Sequence, residues 1–372
     1  MRKILILTTA TGEGHNQAAK ALRDILKDDH TEILIYDFLD GGSKILDNVI
    51  VGGYDFSATM LPRVYGAVYK VTNFKGINGI LSKVFRSSKK SILNCINTYE
   101  PNIIACTHPL SVFVLDYLKR DGIINIPVVS ITTDFNPHYT YFAKNLDAYI
   151  TGSQYSKEKL AQQGINENTI YPLGIPVNKK FYEKNIEKPI SPSKSDFNIL
   201  LMGGSMGLSS ISSVLKKLVS NKNKLNITIV CGKNEDLREE LTLNYGLKTF
   251  ENKHISILGF VNTIPELMDE MDLIITKPGG LTATEAIHKS LPMIIPFVIP
   301  GQENENANFL CKEGTAIRVK NLDLLNETID YLIETPEKLQ QMRANMNRIS
   351  KNFSIEKTIE LFNGLYKEDV SK

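Results

Sequence analysis

The chain has 372 residues, 42% of them apolar and 23% charged. That is the balance of a globular protein, at a length that predicts two α/β domains rather than one ordinary core. With 43 Lys and Arg against 41 Asp and Glu the net charge is +2, which argues against a dedicated nucleic-acid binder and leaves any basic surface to be local. Cys95, Cys106, Cys231 and Cys311 stand far apart with no CxxC or Cys/His ligand spacing, so a structural zinc site is not expected and the pattern fits a reducing cytoplasm.

Arg2-Lys3 is followed by an apolar run at 4–7 that is too short for a secretory leader. No stretch approaches the length of a bilayer span, so any membrane contact is expected to be peripheral. The run at 4–7 instead predicts a central parallel strand. It ends in Thr8-Thr9-Ala10-Thr11-Gly12-Glu13-Gly14-His15, and residues 17–26 follow with helical spacing. Ala18, Ala19 and Ala21 would let that helix approach a sheet closely. Position 17 is Gln, so GxGxxG is not completed and the dinucleotide fingerprint fails. His15 stands at the carboxyl end of the strand, where open α/β sheets bind ligands. Its residue type allows two roles there, a hydrogen-bonded loop histidine or a base for an attacking hydroxyl.

Residues 32–38 predict a second strand. Between 61 and 92, Tyr65, Tyr69, Phe74 and Phe85 interleave with Arg63, Lys70, Lys75, Lys83, Arg86, Lys89 and Lys90, and no acidic residue occurs from 61 to 99. That pattern suits core-packing helices with a solvated basic face, or a segment lying in a membrane interface with its cations toward anionic headgroups. Residues 102–107 predict a strand ending in His108-Pro109. Residues 128–132 predict another, ending in Thr133-Asp134-Phe135, with His138 and Tyr141 beyond. A strand at 148–153, a helix at 155–163 and an extended segment at 170–177 follow. Residues 184–196, polar and carrying Pro189 and Pro192, read as a linker.

The second half repeats this grammar. A strand at 198–202 runs into Gly203-Gly204-Ser205-Met206-Gly207 and a helix at 209–219. Strands at 227–230 and 255–258 end in Cys231-Gly232-Lys233 and Gly259-Phe260-Val261, the second followed by a helix at 265–271. An apolar run at 273–275 leads through Lys277-Pro278-Gly279-Gly280 into a helical pattern at 281–289 carrying Thr282 and Glu285. Another apolar run, 293–297, ends in an acidic-amide loop, Pro300-Gly301-Gln302-Glu303, with Asn306 just after. A glycine turn opening a helix gathers free N–H groups and the positive dipole end at one spot, where phosphates bind. A carboxylate further along the helix, Glu285, cannot hold a phosphate but can accept from a sugar's vicinal hydroxyls. A short strand at 315–319 precedes a helical region with a break near Thr335-Pro336 and a terminal amphipathic helix at 355–366.

The turn ending in His15, Thr133-Asp134 with His138, the GIPV at 174–177, and the spacing of Gly279-Gly280, Glu285 and Gly301-Gln302-Glu303 together resemble one family. It is that of the monogalactosyldiacylglycerol synthases and bacterial diacylglycerol glucosyltransferases, inverting GT-B glycosyltransferases related to the MurG type. The resemblance runs over nearly the whole chain in matching order. It implies an α/β GT-B fold, two Rossmann-like open-sheet domains facing across a cleft. Residues 1–183 would be the acceptor and membrane-docking domain, joined by the crossing-back helix in 353–372. Residues 184–196 would be the linker and 197–352 the UDP-sugar-binding domain.

The resemblance also implies roles. His15 would be the base, with Asp134 orienting or assisting it. Gly14, Gly203, Gly204, Ser205, Met206, Gly207, Pro278, Gly279, Gly280 and Thr282 would surround the donor, with the diphosphate on the N–H groups from Gly203 to Gly207 and of Gly279-Gly280. Phe260 and Val261 would hold the uracil edge, Glu285 the ribose, and Gln302, Glu303 and Asn306 the hexose. His108, His138 and Tyr141, the last where the family usually has Trp, would serve the acceptor, as would Arg63, Tyr69, Lys70, Phe74 and Lys75 at an anionic membrane surface. No Asp-x-Asp occurs in the chain. Backbone donors and helix dipoles are then expected to stabilise the leaving group without a metal or other cofactor. The expected reaction moves glucose or galactose from a UDP-sugar to diacylglycerol, and possibly further to the monohexosyl product, on the inner face of the cell membrane. Two alternatives stay open: transfer of N-acetylglucosamine to an undecaprenyl-linked peptidoglycan precursor, and a non-catalytic sugar-nucleotide sensor.

Overall fold

The computed structural model describes residues 1–9, 13–39, 79–137, 141–183, 197–203, 210–246 and 248–366. The chain forms two compact units. The first comprises residues 1–179, 299–305 and 352–372, and the second residues 180–298 and 306–351.

In the first unit the elements run β1 (Arg2–Thr8), α1 (Glu13–Leu26), β2 (Thr31–Asp37), α2 (Gly79–Tyr99), β3 (Ile103–Cys106), α3 (Pro109–Arg120), β4 (Val128–Ile131), β5 (Ala148–Ile150), α4 (Gln154–Gln162) and β6 (Ile170–Tyr171). The strands form one parallel sheet in the order β2-β1-β3-β4-β5-β6. The period of two along β1 sorts its apolar run between two cores. Ile4 and Ile6 pack with Ala19 and Leu22 of α1, while Leu5 and Leu7 pack with Ile92 and Ile96 of α2 and Val112 and Leu115 of α3. All four β1 side chains are fully buried, as a strand covered on both faces requires.

The second unit runs β7 (Phe197–Met202), α5 (Ser210–Val219), β8 (Leu225–Val230), α6 (Glu235–Leu241), β9 (Lys253–Leu258), α7 (Ile264–Glu270), β10 (Leu273–Thr276), α8 (Gly280–His288), β11 (Met293–Ile295), α9 (Gln302–Lys312), β12 (Ala316–Arg318), α10 (Leu325–Glu334) and α11 (Pro336–Ser350). The first residues of α9 fall in the first unit. The second parallel sheet has the order β12-β11-β10-β7-β8-β9. Ile199 and Leu201 of β7 pack with Ile275 of β10, Val214 and Leu218 of α5 and Ile329 and Leu332 of α10. Pro336 ends one helix and opens the next, since its ring suits a first helical turn and not an interior.

The chain closes with α12 (Ile355–Leu365), which belongs to the first unit. Its Phe362 is fully buried against Ile4, Ile6 and Leu22. Ahead of it Phe353 lies over Gly174, whose φ is +90°.

One helix begins earlier than the sequence pattern suggests, and another forms where only a loop was expected. The helix expected at 17–26 starts at Glu13, where Gln17 donates to Glu13 Oε1 at 2.6 Å and an acidic residue suits the positive dipole end. The Gln302-Glu303 stretch, expected as a loop, is the first turn of α9, with Glu303 and Glu305 at its start. Cys106 and Cys231 are buried, and all four cysteines are outside any disulfide. No helix of the described residues is long and apolar enough to cross a membrane.

Candidate active site

Strand order dictates where a ligand can sit. In the first sheet the chain leaves β1 for β2 on one side and returns to β3 on the other. In the second it leaves β7 for β8 and returns to β10. A crevice opens beyond the carboxyl ends of strands at such a reversal. In the first unit that place lies between the segment after β1, which carries His15, and the segment after β3, which carries His108. In the second it lies between Gly203 after β7 and Pro278-Gly279-Gly280 after β10, with Thr276 registered against Met202.

His15 stands in the first turn of α1 and is half-buried. At the end of β1 the Thr8 hydroxyl donates to Oδ1 of Asn16, the next residue of α1, at 3.0 Å. His15 Nδ1 lies 2.7 Å from the Thr107 carbonyl oxygen at the end of β3. A carbonyl can only accept, so Nδ1 carries the proton and Nε2 keeps its lone pair. Burial lowers the His15 pKa to about 4, partly offset by the bond to Thr107, so the ring is neutral at pH 7. The geometry therefore supplies a neutral imidazole with an unprotonated Nε2, the state a general base needs.

Three neighbours fix the ring. The Thr133 hydroxyl lies 3.2 Å from Nδ1, and the Tyr141 hydroxyl lies 3.3 Å from Thr133 Oγ1. The His108 ring meets the His15 ring edge to face, with centroids 4.7 Å apart. His108 also caps α3: its Nδ1 accepts from the Leu110 N–H at 3.2 Å, and Pro109 takes the first helical position.

Two of the expected residues lie behind the ring. Asp134 is buried and has partners of its own. The Nδ1 atom of His15 is taken by Thr107 and Thr133. Tyr141 is fully buried rather than facing an acceptor, and it backs Thr133. Its phenol is held far above its usual range by burial and by the nearby Asp134 charge. Thr107 and Thr133 were missed by the motif reading. One acts through a backbone carbonyl, which has no sequence signature, and the other stood in plain sight beside Asp134.

In the second unit Gly203 is buried at the end of β7, and Gly204, Ser205, Met206 and Gly207 lie outside the described residues. Gly279 is the N-cap of α8 with no side-chain cap, so the first N–H groups of the helix are not taken by a capping side chain. Its φ is −65°, open to any residue, and a Cβ built on it would meet nothing within 4 Å. Neither backbone conformation nor packing within the chain demands glycine there. Close approach by a ligand to the backbone would.

Glu285 lies further along α8, half-buried, and its carboxyl group makes no hydrogen bond or ion pair among the described residues, while its backbone carbonyl accepts from the Lys289 N–H. Burial pushes its pKa up to about 8. Pro278 is buried and Thr282 half-buried beside it. Phe260, after β9, is 52% exposed under the Lys233 ammonium, which lies 5.7 Å from its ring centre. Val261 is half-buried next to it.

The remaining predicted residues fall as follows. Gly14 is exposed in the first turn of α1. Glu303 Oε2 accepts from the Ile299 N–H at 2.9 Å, closing the turn at Gly301, while Gln302 is half-buried. Asn306 is buried at 1% exposure. Arg63, Tyr69, Lys70, Phe74, Lys75 and His138 lie outside the described residues. Among the described residues no group of three or more His, Cys, Asp or Glu could hold a metal ion.

Residues 15–177 match the monogalactosyldiacylglycerol (MGDG) synthase family, and residues 198–359 the glycosyltransferase family 28 C-terminal domain. A "Processive diacylglycerol beta-glucosyltransferase" of Bacillus pumilus is 31% identical over 369 residues, covering 96% of this chain and 94% of that protein. The protein of the same name from Bacillus subtilis is 30% identical over 373 residues, with the same coverage. The crystal structure of MurG from Acinetobacter baumannii superposes with a TM-score of 0.63 at 16% identity, covering 98% of this chain and 100% of that one. At that identity the likeness is one of fold, and the fold is GT-B. The two family matches and the near-full-length relatives place this chain in the monogalactosyldiacylglycerol synthase and diacylglycerol glucosyltransferase family of GT-B glycosyltransferases.

Proposed function

We propose that this protein transfers glucose from a UDP-sugar to diacylglycerol with inversion, and then to the glucosylated product. The substrates follow the printed names of the relatives, in which "processive" means successive additions. The observation that carries the chemistry is the neutral His15 with its Nδ1–H on the Thr107 carbonyl. The acceptor hydroxyl oxygen forms a bond to the anomeric carbon while its proton passes to Nε2, and the anomeric bond to the UDP oxygen breaks on the opposite face. One inversion of an α-linked donor gives the β-glycoside in the relatives' name.

In this reading the N–H groups at Gly279-Gly280 and the turn after β7 carry the diphosphate, and Glu285 accepts from the ribose. The Phe260 ring is a shelf for uracil, and Gln302 and Glu303 address the hexose. These donors stabilise the departing UDP without a metal ion. Full activity in EDTA supports that, whereas a loss restored by Mg²⁺ or Mn²⁺ overturns it. The same reading puts the protein peripherally on the inner face of an anionic membrane. α2 supports it, with Lys83, Arg86, Lys89 and Lys90 and no acidic residue along its length.

The test is incubation with labelled UDP-glucose, UDP-galactose or UDP-N-acetylglucosamine in vesicles containing diacylglycerol. Mono- and diglucosyl lipid from UDP-glucose is expected. Product only from UDP-N-acetylglucosamine on a polyprenyl-linked acceptor overturns the acceptor assignment. Tight UDP binding with no lipid product from any donor would mark a sensor.

A further inference from the structure

His15 Nδ1 has two oxygens in front of it. The Thr107 carbonyl, at 2.7 Å, is the primary acceptor. Thr133 Oγ1, at 3.2 Å, is the second. A hydroxyl can accept from Nδ1–H only if its own proton points elsewhere. The Tyr141 oxygen, 3.3 Å from Thr133 Oγ1, gives that proton a place to go. Tyr141 is fully buried and Thr133 is 5% exposed, so water is not a ready competitor for either hydroxyl. Thr133 leaves β4 on the segment that continues into Asp134, which brings it to the ligand end of the sheet beside β3.

We propose that Thr133, held by Tyr141, is a positioning residue for His15. Its hydroxyl shares the Nδ1 proton with the Thr107 carbonyl, which keeps Nε2 as the free lone pair. It also places a second oxygen dipole against the imidazolium that forms when the acceptor proton arrives. No group is transferred through Thr133. The proton on Nδ1 stays there through the reaction, and the acceptor proton adds at Nε2.

The other titratable groups around the ring are few. His108 stands 4.7 Å away, and its Nδ1 lone pair is spent on the Leu110 N–H, so its proton sits on Nε2. Tyr141 is linked to the ring through Thr133, and Asp134 follows Thr133 in the chain. Thr133 is thus the side chain that can tune the ring through Nδ1 without adding a charge.

The proposal rests on the reading of His15 as the base, so its test has an arm that needs no activity. Histidine-labelled protein is examined by ¹⁵N NMR, with the His15 signals identified by their loss in His15→Gln. The wild type is expected to show the Nδ1–H tautomer, and Thr133→Val, which keeps the shape and removes the hydroxyl, the same tautomer held by Thr107 but a ring that takes up its second proton at lower pH. Thr133→Ser is expected to return the wild-type pattern. In the transfer assay Thr133→Val should lower kcat about tenfold with KM for donor and lipid near wild type and move the acidic limb of the pH profile to lower pH. Thr133→Ser should recover most of the rate, and Tyr141→Phe should fall between the two.

An unchanged ring titration and acidic limb in Thr133→Val would overturn the proposal. So would equal losses in Val and Ser, which would mark a packing role. The expected shift of the ring titration in a protein that transfers no sugar would leave the positioning intact and sink the reading of the reaction instead.

Discussion

The Nδ1 atom of His15 lies 2.7 Å from the carbonyl oxygen of Thr107, a backbone group brought from the end of the neighbouring strand. This contact selects the tautomer, and burial keeps the ring neutral by lowering its pKa to about 4. A lowered pKa keeps the base form populated at neutral pH and loses it only as pH falls toward that value. The contribution of His15 to kcat/KM, which reports the free protein, should therefore stay level from pH 7 downward and drop near pH 4 to 5, below the range in which Glu285 titrates. A bound donor adds two phosphate charges that favour the imidazolium, so the acidic limb of kcat should lie at higher pH than that of kcat/KM. His15→Ala should lose on the order of 10²-fold in kcat and flatten both limbs. A near-normal rate in that variant would remove His15 from the role of base.

Glu285 poses the opposite titration problem. Its carboxyl is pushed up to about 8 by burial, so at pH 7 it is mostly protonated in the free protein. Ribose hydroxyls donating to it would favour the anion and lower that pKa. UDP binding at pH 7 should then release about one proton. Calorimetry in buffers of different ionisation enthalpy reads this directly, and Glu285→Gln should abolish the release. Proton uptake, or release unchanged in the variant, would count against the ribose contact.

The parts of the site readable from sequence were those encoded locally. Apolar runs ending in glycine located the carboxyl ends of β7 and β10, and so predicted the neighbourhood of Gly203 and Gly279 before any strand order was known. His15 was visible for the same reason, as a titratable residue at the end of β1. What holds His15 was not visible, because the Thr107 carbonyl is 92 positions away and any residue carries one. The place of Tyr141 was not visible either, because an aromatic after a polar strand end suits either a ligand wall or a buried support. Only packing against Thr133 decides between them. The early start at Glu13 and the unexpected helix from Gln302 have a common cause: a first turn is stabilised by acidic residues and side-chain bonds, which the apolar period does not register.

Gly279 separates folding from ligand contact. It is the N-cap of α8 at φ −65°, with open space where a Cβ would go. Serine is at least as good an N-cap as glycine, so Gly279→Ser should leave stability within about 0.5 kcal/mol of wild type. Its side chain would nevertheless occupy the approach to the first N–H groups of the helix. UDP binding should weaken by about tenfold or more while the melting temperature holds, as read by calorimetry and thermal unfolding. Unimpaired UDP binding would show that the diphosphate does not come to this helix end.

The basic face of α2 predicts a lipid preference. Arg86 and Lys90 are exposed, and Lys89 lies 4.6 Å from the centre of the Tyr117 ring, which also packs on Phe85. Reversing Arg86, Lys89 and Lys90 to Glu removes three cations and adds three anions at a surface. Each cation near an anionic membrane is worth about 1 kcal/mol. Sedimentation with phosphatidylglycerol vesicles should show binding of the wild type and loss of most of it in the triple variant, with affinity for UDP unchanged. Equal binding of both proteins to these vesicles would place the membrane contact elsewhere.

The return of the chain to its first unit depends on one glycine. Gly174 has φ +90°, and a Cβ there would lie 2.6 Å from Phe353 Cγ, closer than side chains tolerate. Phe353 is 8% exposed, so the ring has little room to withdraw. Gly174→Ala therefore combines an unfavourable backbone conformation with overpacking, together about 2–5 kcal/mol of lost stability. The two parts can be separated. Adding Phe353→Ala removes the clash and leaves the backbone cost, so the double variant should lose less than the sum of the single losses. Urea unfolding of the four proteins measures this coupling. Strict additivity would mean that the Phe353 ring yields freely and does not fasten the start of α12 over Gly174.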